Sequence, residues 1–189
     1  VSVVQASSHN LVNVLDLDPT IRKEIRYATA ENFMKEVLYA DDRCFLLSEV
    51  AERLVKAHRE LQKQGLGIKV YDCYRPLAVQ KKMFARFPQP GYVADPAKGS
   101  NHNRGAAIDC TIVGADGKEL PMPSEYDEFT KRAHLVYADA PADQIANRAL
   151  LQKTMLAQGF TSISMEWWHF DAPNAKTYPV LDIPIENLK

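Results

Sequence analysis

Two histidines, an aspartate and a glutamate stand out by type and by neighbourhood. His102 and Asp109 lie seven residues apart in Ser100-Asn101-His102-Asn103-Arg104-Gly105-Ala106-Ala107-Ile108-Asp109, with a glycine between them. Far later, Glu166-Trp167-Trp168-His169 brings a second imidazole with a carboxylate three residues ahead of it. A catalytic zinc takes three protein ligands and keeps a fourth position for water, whose pKa it lowers to near neutrality. His102, Asp109 and His169 are the candidate ligands for one zinc per chain. Glu166 is then left to act as general base, taking a proton from the attacking water and passing it to a leaving amine. Arg75, at a strand-to-helix junction, is the candidate for stabilising the oxyanion of a tetrahedral intermediate. Singly, an Asp at a strand end is a cap and a His is a packed ring. Four such groups in two apolar strand contexts favour a site.

The spacing restricts how the backbone must run. Side chains alternate along a strand, so residues an odd number apart point to opposite faces. His102 is therefore expected in a loop before the strand that carries Asp109, with Gly105 giving the freedom to bend. Glu166 and His169 raise the same difficulty, and one of them must leave the regular strand. Both spacings place the zinc site at a sheet edge beside loops.

The remaining elements fit that requirement. Residues 67–74 alternate as a strand, residues 106–113 and 160–170 read as further strands, and 21–27 as a short one. Leu47, Val50, Ala51, Leu54, Val55, His58 and Leu61 recur at helical spacing, with Ser48 as cap and Gly65 as stop. His58 lies on that stripe with no second ligand near it and reads as structural. Helices are also expected over 77–87, after Arg75-Pro76, and over 143–158. Residues 88–103 have no period and form a long loop, residues 115–117 a turn with 118–120 returning as hairpin partner, and 121–128 another loop. The first eighteen residues read as an arm lying on the domain. Strands and helices do not alternate regularly, which predicts a single α+β domain over 1–189, with a mostly antiparallel sheet and helices packed outside it.

With 189 residues the chain can bury a core without staples. A net charge of −1 gives no reason to expect nucleic acid or anionic lipid as partner, and no run is long and apolar enough for a membrane span. No basic-then-apolar leader opens the given sequence, but a start at Val1 rather than Met implies trimming, which leaves export open. Cys44, Cys73 and Cys110 are odd in number and form no C-x-x-C pair, which argues for three buried free thiols rather than a disulfide framework or a thiolate metal site.

Ser-x-His-x-x-Gly-x-Ala-x-Asp followed by Glu-x-Trp-His resembles the D-alanyl-D-alanine dipeptidases, the VanX-type zinc enzymes. The similarity extends through Tyr27-Ala28-Thr29-Ala30-Glu31-Asn32-Phe33, Tyr71-Asp72-Cys73-Tyr74-Arg75-Pro76 and Pro121-Met122-Pro123-Ser124-Glu125-Tyr126-Asp127. The resemblance implies His102, Asp109 and His169 as zinc ligands, Glu166 as base and Arg75 as transition-state stabiliser. It also implies Asp127 as holder of the substrate ammonium, with Tyr27 and Ser100 lining the pocket. A small dipeptide is then the partner, and a bacterial periplasm or cytoplasm the compartment. Chemistry agrees, since a free dipeptide needs a carboxylate for its amine end. Two alternatives stay open. One is a D,D- or L,D-carboxypeptidase acting on longer muropeptides; the other is a non-catalytic zinc-binding module that recognises cell-wall fragments. Pro-Ser-Glu in the 121–127 loop departs from the pattern and bears on substrate range. Trp167 and Trp168 read as wall and packing residues, and His134 as structural.

Overall fold

The computed structural model describes residues 10–189. In chain order the elements are β1 (Leu11–Asn13), α1 (Val14–Leu17), β2 (Arg22–Lys23), β3 (Phe45–Leu47), α2 (Ser48–Gln62) and β4 (Leu66–Asp72). There follow α3 (Leu77–Arg86), β5 (Ala107–Gly114), α4 (Ala142–Ala157), β6 (Thr161–Ile163) and β7 (Glu166–Asp171). The first nine residues of the expected arm lie outside the described residues. The rest of it is tied down, because β1 pairs antiparallel with β3.

The main sheet runs β2-β4-β5-β7-β6. Only β2 and β4 are parallel, and the other neighbours are antiparallel. The α+β architecture is as the sequence predicts. Helix α2 packs on β4 and against α4, which in turn touches β5 and β7. Its buried stripe is Val50, Ala51, Leu54, Val55, Ala57, His58 and Leu61, the residues set three and four apart. Each large aliphatic side chain buried there contributes roughly 1.5–3 kcal/mol. His58 is structural: its Nδ1 accepts from the Ile68 amide at 2.9 Å, and its Nε2 meets the Thr20 hydroxyl. Burial lowers its pKa. In β5, Ala107 through Val113 are all buried, as a central strand covered on both faces must be.

Four local expectations need correction. Ser48 does not cap α2; Leu47 occupies that position, and the Ser48 amide donates to the Asn10 carbonyl instead. The strand over 21–27 shrinks to β2, and Arg26–Ala28 form a 3-10 turn. The strand over 160–170 is two strands, β6 and β7, folded at Ser164-Met165 into a tight hairpin. That dipeptide lacks the Asn-Gly or Asp-Gly chemistry which usually signals such a turn. Finally, Cys44 and Cys73 are joined in a disulfide, with Cα atoms 5.3 Å apart, and only Cys110 is free. The Tyr74 amide donates to the Phe45 carbonyl at 2.8 Å. This contact brings the preceding cysteine of each segment side by side, which spacing in sequence cannot reveal.

Candidate active site

Strand register assembles the first half of the site. Asp109 of β5 is the register partner of His169 on β7 and, on its other side, of Asp72 on β4. Paired residues project from the same face of a sheet, so these three side chains form a row. The alignment with Asp72 depends on a bulge between Val70 and Asp72 in β4. The row lies where the three central strands β4, β5 and β7 meet their loops.

His102 arrives from a separate 3-10 turn, His102–Arg104, ahead of β5. Gly105 ends that turn at φ 65°, where a Cβ would lie 2.5 Å from the Leu11 side chain. Conformation and space both demand glycine. The turn is fastened to the end of β4: the Arg75 amide donates to the His102 carbonyl at 3.1 Å, and Asn103 Nδ2 donates to the Arg75 carbonyl at 2.9 Å. Ser100 Oγ accepts from the His102 amide at 3.2 Å, so this serine shapes the turn as well as lining the pocket.

The three candidate ligand atoms form a nearly equilateral triangle. His169 Nδ1 lies 3.1 Å from Asp109 Oδ1, His102 Nε2 lies 3.3 Å from the same oxygen, and the two nitrogens are 3.2 Å apart. A tetrahedral zinc with bonds of about 2.0–2.1 Å needs ligand atoms roughly 3.3 Å apart. The far side of each ligand is already engaged. His102 Nδ1 donates to the Cys73 carbonyl at 2.8 Å, and His169 Nε2 donates to Asp171 Oδ1 at 2.9 Å. Both tautomers are thereby set, and two bare imidazole nitrogens face one carboxylate oxygen. Tyr126 donates to Asp109 Oδ2 at 2.9 Å, leaving Oδ1 to the histidines. Such a donor set fits a divalent cation that accepts nitrogen and oxygen.

Burial works against the Asp109 carboxylate, yet the His102 and His169 rings hold it well below the usual range. Burial disfavours protonated His169, but Asp109 and Asp171 outweigh it and raise its basicity. Glu166 Oε2 lies 3.9 Å from His169 Nδ1. Regular alternation would separate these two residues. The β6–β7 register shifts across Trp167–His169, pairing Ile163 with Glu166, and the irregularity returns both to one side. Burial pushes the Glu166 carboxyl well above its ordinary value, partly offset by His169.

Arg75 is buried and held by Asp72, through Nε at 3.1 Å and Nη2 at 2.6 Å, and by Gln80 Oε1 at 2.8 Å. Tyr39 donates to the other Asp72 oxygen at 2.7 Å. The guanidinium lies over the Tyr27 ring at 5.2 Å, and Tyr27 donates to Asp127 Oδ2 at 2.7 Å. Asp127 adopts φ 58°, an uncommon backbone conformation for a residue with a side chain. Burial raises its carboxyl to about 7, against the Tyr27 hydrogen bond and with help from Asp109. Tyr27, Arg75, Ser100, His102, Asp109, Asp127, Glu166 and His169 all line one cavity of about 700 Å³.

The family model described as D-ala-D-ala dipeptidase, Peptidase M15, matches residues 7–187. The chain belongs to this family. The D-alanyl-D-alanine dipeptidase of Escherichia coli (strain K12) is 38% identical over 171 residues, covering 90% of this chain and 89% of that protein. The D-alanyl-D-alanine dipeptidase of Enterococcus faecium is 31% identical over 193 residues, covering 88% and 93%. Membership makes this chain a hydrolase of the metallopeptidase class.

Within this D-ala-D-ala dipeptidase family member, several residues that sequence reasoning passed over support the site. Asp171, two positions after His169 on the same strand face, orients that ring. Tyr126 orients Asp109, and Asp72 orients Arg75, three residues on. Only the Asp171 spacing and the Asp72–Arg75 spacing offered a signal in sequence. Trp168 lines the pocket and Trp167 packs behind it, its Nε1 donating to Ser124 Oγ at 2.9 Å. His134 is a scaffold residue whose Nε2 meets the Tyr92 hydroxyl at 3.0 Å.

Proposed function

We propose that this enzyme hydrolyses D-alanyl-D-alanine or a related short D-amino-acid dipeptide with one zinc held by His102, Asp109 and His169. The observation that carries this is the triangle of ligand atoms, 3.1–3.3 Å on a side, both imidazoles oriented by acceptors behind them. The names of the relatives, D-alanyl-D-alanine dipeptidases, supply the substrate class. Zinc bound there contributes Lewis acidity, polarising a carbonyl and acidifying a water.

The protein groups divide the remaining work. Glu166 takes the proton of the attacking water on its carboxylate and delivers it to the departing amine. Burial, which raises this carboxyl, favours its holding the proton between the two halves of the transfer. Arg75 has N–H donors beyond the three committed to Asp72 and Gln80, and these stabilise the developing oxyanion. Asp127 pairs with the substrate ammonium, and the Tyr27 hydroxyl fixes the carboxylate that does so. Ser100 holds the turn that presents His102.

The test is a panel of D,D-, L,D- and L,L-dipeptides plus a pentapeptide stem, assayed with zinc-loaded protein. Release of free D-alanine from D-Ala-D-Ala, with little from the stem, is the expected result. Cleavage of the stem in preference would assign a carboxypeptidase instead, and zinc binding without hydrolysis a recognition module.

A further inference from the structure

We infer that the pocket accepts dipeptides whose amine-bearing residue carries a large apolar side chain, packed against a wall of Phe33, Phe129 and Tyr92. The inference rests on the reading above, in which Asp127 takes the substrate ammonium.

An unbroken aromatic line starts at that anchor. Tyr27, bonded to Asp127, meets Phe33 edge-on with centroids 6.0 Å apart. Phe33 meets Phe129 at 5.1 Å, and Phe129 meets Tyr92 at 4.9 Å. Phe33, Tyr92 and Phe129 all line the cavity and stay partly exposed to it, with Met83 and Phe84 beside them. Partly exposed rings gathered on a concave surface mark a place for apolar ligand. The wall is also fixed. Phe129 follows Asp127 by two residues, Phe33 is braced by Phe87 at 5.5 Å, and the Tyr92 hydroxyl is tied to His134.

Size points the same way. A cavity of about 700 Å³ belongs with sites for ligands far larger than dialanine. Two methyl side chains would leave the three rings wet. Asp127 is bonded to Tyr27 at the start of the aromatic line and is followed two residues on by Phe129, which assigns the wall to the residue at the amine end.

The experiment compares kcat/KM of the zinc-loaded full chain for D-Ala-D-Ala, D-Phe-D-Ala, D-Leu-D-Ala and D-Ala-D-Phe. D-Phe-D-Ala should match or exceed D-Ala-D-Ala and exceed D-Ala-D-Phe by about tenfold or more. Phe129→Ala should lower the ratio of D-Phe-D-Ala to D-Ala-D-Ala activity roughly tenfold. Should that variant fold poorly, Tyr92→Ala in the neighbouring loop provides the same ratio. Turnover of D-Ala-D-Ala with D-Phe-D-Ala tenfold slower, D-Phe-D-Ala no better than D-Ala-D-Phe, or a ratio unmoved by the substitutions would overturn the aromatic subsite and leave the dipeptidase reading standing. No hydrolysis of any of the four would overturn that reading, and the subsite with it.

Discussion

Asp109 and His169 are register partners on adjacent antiparallel strands, and their facing atoms, Oδ1 and Nδ1, are 3.1 Å apart. Two of the three proposed ligands are therefore placed by the sheet itself, whose hydrogen-bond ladder fixes their separation. The third, His102, comes from a turn bolted to the end of β4. A site built on strands is rigid, and metal affinity should follow the groups that orient the ligands.

Tyr126→Phe removes the hydrogen bond to Asp109 Oδ2 while keeping the ring stacked on Tyr71 at 4.4 Å. Zinc affinity should weaken roughly 10- to 100-fold, read by competition with a chromophoric chelator. An unchanged affinity would show that Tyr126 does not orient the ligand.

Glu166→Ala should keep its metal and lose about 10²–10⁴ in kcat. Metal content and steady-state rates on one preparation decide it. A fully active variant ends the assignment of Glu166 as base.

For Asp127 the prediction concerns pH. Its carboxyl, raised to about 7, is neutral below that value and cannot pair with an ammonium group. Thus kcat/KM for a free dipeptide should fall as pH drops through about 7, because this parameter reports the free enzyme. Asp127→Asn should raise KM for free dipeptides, affect N-acylated ones much less, and lack this limb of the profile. The same limb persisting in the variant would point to another group.

Cys44→Ser with Cys73→Ser should cost about 2–4 kcal/mol of stability, the usual effect of opening such a loop, measured by urea unfolding. The bond is of the sort that persists in an oxidising compartment. Equal midpoints for wild type and double variant would argue that the pair is not formed.

Much of the site was legible because its residues are chemically out of place: Asp109, Glu166 and His169 interrupt apolar runs, and His102 stands in a glycine-containing loop just ahead of one. Odd spacings also foretold irregular backbone, found as the Gly105 turn and the shifted register of β7. Helix α2 and strand β4 followed from periodicity. What stayed hidden depends on pairing between distant segments. Asp72 faces Asp109 only because β4 bulges, Cys44 meets Cys73 only because Phe45 and Tyr74 share a hydrogen bond, and the Ser164-Met165 hairpin has no turn-forming residue. Tyr126 reaches Asp109 across a loop whose path no spacing rule describes.

The most direct test of the account is the zinc content of purified wild type beside His169→Ala and Asp109→Ala, after dialysis against free zinc and removal of excess. About one equivalent per chain in the wild type, and far less in both variants at unchanged circular dichroism, is the predicted result. Wild-type zinc content in either folded variant would contradict convergence of these side chains on a single ion.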